Sequence, residues 1–258
     1  MSQPETWVLL RGLMRDARHW GDFPQQLGKA LPEVRLCLPD FPGNGARHLE
    51  TSLSSVPAMA EWLRAELRRQ GIAPPYRVFA LSLGAMVTVA WADIHPREID
   101  RAVLVNTSLR PFSPIHHRLR PSAWPLLLRM ALGQASPRVA EQTILRLTSQ
   151  HHASSGALLA QWEQWHRARP VSRTNALRQL IAAARYHAPR QAPRVPLLLL
   201  NGGGDQLVSP ACSKALAAAW NCPLVQHPSA GHDLPLDDPA WVVAQLEAWR
   251  RSPIKNPA

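Results

Sequence analysis

The 258-residue chain is short of cysteine. Its three, Cys37, Cys212 and Cys222, do not make a disulfide framework or a zinc site. Long apolar runs are missing as well: the longest are strand-sized, such as Leu197–Leu200, which excludes a membrane-spanning helix. Met1–Thr6 is polar and leads straight into Trp7–Leu10, with no basic segment ahead of an apolar one. A signal peptide is therefore not expected, and a reducing, cytoplasmic location is. No internal repeat or low-complexity tract is present. The pairs His116-His117 and His151-His152 have no carboxylate or cysteine to accompany them, and neighbouring side chains on a helix diverge, so no metal is expected.

What the chain does have is alternation. Short runs rich in valine and leucine occur at Trp7–Leu10, Val34–Leu38, Arg77–Leu81, Ala102–Val105, Leu197–Leu200 and Leu224–Gln226. Such runs suit strands buried on both faces of a parallel sheet. Helix-like segments at Pro57–Arg69, Leu83–Asp93, Pro210–Trp220 and Pro239–Arg251 separate them, several opening with proline near the first turn, as at Pro210 and Pro239. This order predicts an α/β fold with a doubly wound, mostly parallel sheet of about six strands. The rhythm breaks between Leu109 and Arg194, where short helices are expected at Trp124–Leu132, Val139–Thr148, Ala157–Arg167 and Thr174–Tyr186. The expected division is a core domain of residues 1–108 and 195–258 with a helical cap, residues 109–194, inserted into it.

Three residues stand at the expected strand ends, on the edge where open α/β sheets bind ligands. Ser82 follows Val78-Phe79-Ala80-Leu81 and precedes Leu83-Gly84 and a helix, which makes a small-x-Ser-x-Gly turn. Asp205 closes Gly202-Gly203-Gly204 after an apolar strand, and His232 lies in Ser229-Ala230-Gly231-His232 after the last strand. A serine hydroxyl needs a base within hydrogen-bond reach, and that base needs a carboxylate to fix its tautomer. Asp233, Asp237 and Asp238 compete with Asp205 for the acid role, although they crowd the histidine loop and resemble the cap of the next helix.

These residues resemble the nucleophile elbow and serine–acid–histidine order of the α/β-hydrolases, specifically the carboxylesterase group. Leu10-Arg11-Gly12-Leu13 with Trp20 is similar to that family's oxyanion loop, and Asp40-Phe41-Pro42-Gly43-Asn44-Gly45 to its Asp-x-Pro-Gly-x-Gly loop. His95-Pro96 before Val103–Val105 and the late Gly231-His232 complete the likeness. In size and layout the chain resembles the pimeloyl-carrier-protein methyl ester esterase type. Three departures are visible: the family's first two strands have no counterpart here, Arg11 replaces a histidine, and Ala85 replaces a glycine after the elbow. The resemblance implies a triad of Ser82, Asp205 and His232, an oxyanion hole from the backbone N–H groups of Leu13 and Leu83, and no cofactor. Trp20, Leu81, Trp124 and Trp162 are the expected pocket residues, with Leu126, Leu127, Leu128 and Trp165 also packing under the cap.

Charge is the other signal. From Leu109 to Arg194 there are 13 arginines, no lysine and only Glu141 and Glu163, so the entire net charge of +11 falls on that stretch. A basic face beside an active site attracts anions. The expected substrate is a small-molecule ester or thioester, with an acidic carrier protein or coenzyme A thioester as candidate partner. Nucleic acid is not expected, since no binding motif accompanies the charge. The reading from sequence is a serine hydrolase working through an acyl-enzyme. Lactone, carbon–carbon and perhydrolytic chemistry share the same triad, and the alternative is a non-catalytic protein that holds an acidic partner on its basic face.

Overall fold

The computed structural model describes residues 5–125, 129 and 135–252. Six strands form one sheet in the order β2-β1-β3-β4-β5-β6, every pairing parallel. They are β1 Thr6–Leu10, β2 Arg35–Cys37, β3 Tyr76–Leu81, β4 Ile99–Val105, β5 Leu197–Gly202 and β6 Leu224–His227. The longer helices, in chain order, are α1 Phe23–Ala30, α2 Val56–Arg69, α3 Leu83–Ile94, α4 Pro137–Thr148, α5 Gly156–Ala168, α6 Arg173–Arg185, α7 Ala211–Trp220 and α8 Pro239–Arg251.

Side chains of the central strands alternate between two cores, as a pleated sheet requires. Val8, Leu10, Val78, Ala80, Ala102 and Leu104 face α2, α3 and α7. Trp7, Leu9, Phe79, Leu81, Val103 and Val105 face α1 and α8. Helix α3 runs through the interior: every residue from Leu83 to Ala92 is buried, and Thr88 returns its hydroxyl to the Gly84 carbonyl at 2.9 Å. Helix α8 begins where the Asp238 carboxylate accepts from Trp241 N–H at 2.9 Å, with Pro239 in the first turn, where a missing N–H costs nothing.

Strand succession changes direction between β1 and β3, because β2 lies outside β1 while the later strands add on the other side. A crevice opens at the carboxyl edge of such a switch point. Gly12, after β1, and Ser82, after β3, therefore start as neighbours: a Cβ on Gly12 would stand 3.1 Å from the Ser82 Cβ.

The expected strands and the four core helices agree with the structure to within a few residues at each end. Helix α1 was not expected. Its sequence, Phe-Pro-Gln-Gln-Leu-Gly-Lys-Ala, has weak helix propensity, and it is held by burying Phe23 and Leu27 against the sheet and α8. Between β4 and β5 the helices α4, α5 and α6 match three expected segments. The fourth, Trp124–Leu132, lies largely outside the described residues, as do Leu126, Leu127 and Leu128.

Candidate active site

Ser82 sits between β3 and α3 with φ 56° and ψ −115°, in the region that L-residues rarely adopt. The strain costs on the order of 1–3 kcal/mol. Packing enforces it. The Ser82 N–H donates to the Val105 carbonyl at 2.9 Å, which fixes the strand end. Helix α3 must then start so close to β1 that a Cβ at Gly84 would lie 2.5 Å from the Leu10 carbonyl oxygen. Glycine is required there for close approach; Ala85, where the family has another glycine, is buried without conflict.

His232 Nδ1 donates to Asp205 Oδ2 at 2.7 Å, with both side chains buried. The other carboxylate oxygen of Asp205 accepts from the N–H groups of Leu207 and Val208 at 2.8 and 2.9 Å. Its orientation is thus set from both sides. The rival acids are engaged elsewhere. Asp233 is forked onto Arg11, Asp238 caps α8, and Asp237 accepts from Ser149 Oγ and from the N–H groups of Gln150 and Gly231.

Ser82 and His232 line one cavity of about 210 Å3 together with Gly12, Leu13, Leu81 and Leu83. No hydrogen bond joins the serine hydroxyl to the imidazole in this state; such contacts are often long before substrate binds. Leu83 is the first residue of α3, so its N–H has no intrahelical acceptor. The N–H of Leu13 meets no acceptor among the described residues. Both donors are available on the rim of the cavity.

The loop that carries Leu13 is held by its neighbours. Met14 N–H donates to Gln179 of α6 at 2.9 Å, and the Gln179 amide donates to Asn44 and Ser52 at 2.7 and 2.9 Å. Asp40, the first residue of the Asp-x-Pro-Gly-x-Gly loop, accepts from Ala17 and Ala46 N–H at 2.8 Å each. That loop braces the segment that follows Leu13.

Three of the expected pocket residues belong elsewhere. Trp20 is buried among Phe23 and Phe79, under the Arg11 guanidinium at 4.6 Å, because its ring fills the sheet face that α1 covers. Trp162 packs with Leu145 and Leu159 and carries the Arg15 guanidinium at 4.5 Å. Trp124 is 46% exposed, with its indole N–H on the Leu119 carbonyl. Leu81 does line the cavity. Residues that line it and went unnoticed in the sequence include Met86, Arg118, Leu119 and Val208.

Asn106 is the positioning residue that the sequence hid. It follows β4 at φ 46°, 2% exposed, and its amide donates to the carbonyls of Gly231 and His232 at 3.1 and 2.7 Å. Its Oδ1 accepts from Gly202 N–H at 2.9 Å, so one side chain ties the histidine loop to β5. An asparagine directly after a buried strand was the available signal, since asparagine tolerates the left-handed region.

A second cavity of about 450 Å3 adjoins the first and shares Met14, Arg15, Ile144 and Leu180 with it. Its wall includes His19, set edge-on between Trp162 and Trp165 at 5.4 and 5.3 Å. Burial, then the nearby Arg15, holds the His19 pKa down to about 4, against the pull of Asp16. The folded form keeps His19 neutral while the unfolded chain takes up a proton below pH 6.5. Stability is therefore full above pH 6.5 and falls as pH drops toward 4, by on the order of 3 kcal/mol. His19→Gln should flatten this limb in urea melts run between pH 7 and pH 5.

The model of the alpha/beta hydrolase family matches residues 7–245. The chain belongs to the alpha/beta hydrolase family. No curated protein matches it. Solved α/β-hydrolase-like structures do. A thermophilic esterase from Thermogutta terrifontis is 20% identical, with a TM-score of 0.77 over 97% of this chain and 91% of the other. The enol-lactonase from Burkholderia xenovorans LB400 is 18% identical, with a TM-score of 0.80 over 97% and 93%. A putative lipase from Acinetobacter baumannii AYE is 21% identical, with a TM-score of 0.79 over 97% and 84%. These likenesses establish the alpha/beta hydrolase fold. No helix among the described residues is long and apolar enough to cross a membrane.

Proposed function

We propose that the protein is a serine hydrolase that cleaves a carboxylic ester or thioester through an acyl-enzyme. The observation that carries this reading is a strained Ser82 on the wall of one cavity with His232, whose far nitrogen is 2.7 Å from the buried Asp205 carboxylate. His232 takes the proton of Ser82 as the hydroxyl attacks the acyl carbon. The N–H groups of Leu83 and Leu13 stabilise the oxyanion. The leaving alcohol or thiol departs with the proton from His232, and a water activated by the same imidazole then releases the acid and frees Ser82. Each oxyanion donor contributes about 100- to 1000-fold in turnover.

A fluorophosphonate probe tests the nucleophile directly. It should add one phosphonyl group to Ser82, located by peptide mass spectrometry, and pre-incubation with a short activated ester should slow the labelling. A chain that remains unlabelled while folded would favour the non-catalytic binding reading. The arginines of residues 109–194 support an anionic substrate, of which an acyl group on coenzyme A or on an acidic carrier, as in the pimeloyl-carrier-protein esterase type, is one form. Steering by that charge predicts a kcat/KM that falls with salt for the anionic ester and holds steady for a neutral one.

A further inference from the structure

Three arginines line the cavity that holds Ser82 and His232: Arg11, Arg15 and Arg118. Two of them are neutralised inside the protein. Arg11 forks onto Asp233 at 2.9 and 2.6 Å, and Arg15 reaches Glu141 at 2.7 Å. Arg118 differs. It is 8% exposed, and no carboxylate faces it among the described residues. One guanidinium nitrogen donates to the Ala183 carbonyl at 2.9 Å, while Nε is buried without a partner.

The surrounding segment has no acid to give it. Of the two acids between Leu109 and Arg194, Glu141 is taken by Arg15 and His166, and Glu163 by Arg138 and Arg167. Burial, and then the nearby Arg110, works against the charge on Arg118. A guanidinium stays protonated regardless, and an uncompensated buried charge costs several kcal/mol. Much of the cavity wall is apolar, from Leu81, Met86, Leu119, Ala123, Leu207 and Val208, and its one carboxylate, Asp233, is already forked onto Arg11.

The position of Arg118 is tied to the nucleophile. It ends a single helical turn, Ile115–Arg118, and its carbonyl accepts from Ser108 Oγ at 3.3 Å. The preceding residue, Thr107, donates through Oγ1 to the Ser82 carbonyl at 3.3 Å. The charge and the hydroxyl thus hang from the same end of β4.

We propose that Arg118 is the anion-binding residue of this cavity and that the ester or thioester cleaved there carries a carboxylate. The inference rests on the hydrolase reading and narrows it. A carboxylate takes the free guanidinium N–H groups in a forked, charge-assisted geometry and supplies the missing counter-charge. At about 210 Å3 the cavity falls below the 300–1000 Å3 usual for drug-sized ligands, so the bound portion is short. The carboxylate can belong to the acyl half or to the alcohol half.

The test uses three nearly isosteric activated esters. One carries the carboxylate on a short acyl chain, one carries it on the alcohol, and one is neutral. The wild-type protein is expected to favour one anionic ester over the neutral one by about 100-fold in kcat/KM. Arg118→Gln should collapse that ratio, mainly through KM, and Arg118→Lys should restore part of it. The second readout needs no turnover. Short dicarboxylates should raise the melting temperature of the wild type, and the corresponding diamides should not. Arg118→Met should melt no lower than the wild type without ligand, because it removes an unpaired charge, whereas a structural arginine would leave the variant less stable.

Equal rates on anionic and neutral esters, with dicarboxylates giving no thermal shift, would overturn the anion site and leave the hydrolase standing. If no ester is cleaved and Ser82 resists the phosphonate probe, the hydrolase reading is what fails, and the thermal shift still decides the anion site.

Discussion

Ser82→Ala is expected to lower kcat on an activated ester by about a million-fold, to a residual rate set by the oxyanion donors and by binding. In the proposed mechanism the hydroxyl, the imidazole and the carboxylate act as a unit, so removing the nucleophile removes nearly all that the other two contribute. Stability is expected to change little. The Ser82 hydroxyl makes no hydrogen bond among the described residues, and alanine keeps the Cβ, so backbone strain at φ 56° is the same in both. Ser82→Gly relieves that strain and should melt higher than Ser82→Ala by on the order of 1 kcal/mol of added stability. A rate that survives in a well-folded Ser82→Ala protein would remove the acyl-enzyme from the mechanism. Steady-state kinetics beside a thermal melt give both numbers.

Asp205→Asn should cost about 10,000-fold in kcat while the fold persists. The direction follows from the hydrogen bonds of Asp205. One carboxylate oxygen accepts from Leu207 and Val208 N–H, and an asparagine must keep its carbonyl oxygen there. Its NH2 then faces His232 Nδ1 and donates to it. The imidazole is forced to carry its proton on the nitrogen that faces the cavity, where it can no longer accept one from Ser82. The variant should therefore lose kcat, keep its KM within a few-fold, and label slowly with the phosphonate. Asp233→Asn is the control for the rival acid: it breaks the buried pair with Arg11, so its main expected cost is stability, about 3–5 kcal/mol. A loss of turnover confined to Asp233→Asn would reverse the assignment.

The legible parts of the sequence are those where one local rule dominates. Central strands such as Trp7–Leu10 and Leu197–Leu200 are apolar on both faces because helices cover both, and a continuous apolar run reports that directly. Ser82 was legible because the elbow needs a strand, small flanking residues and a helix in immediate succession, all within a dozen positions. Asp205 and His232 were legible from their places after strands. Helix α1 was not, because its stability comes from burying Phe23 and Leu27 and hardly at all from its own composition. The pocket tryptophans misled for a related reason. A large aromatic in a hydrolase invites a ligand-binding role, yet Trp20 and Trp162 serve as platforms for Arg11 and Arg15, and the cavity wall is built from smaller residues.

The amino-acid order alone settled the parallel α/β architecture and the concentration of positive charge between Leu109 and Arg194, since each is written in short-range pattern or in composition, and it singled out Ser82 and His232 as candidates. Only the tertiary structure decided which acid meets His232, that Asn106 and Asp237 brace the histidine loop, and which of the three cavity arginines has no counter-charge among the described residues. Those depend on contacts between residues far apart in the chain, 126 positions for Asn106 with His232 and 222 for Arg11 with Asp233. Chain pattern carries no record of such pairings, because they are selected by how the strand ends and loops meet once the sheet has formed.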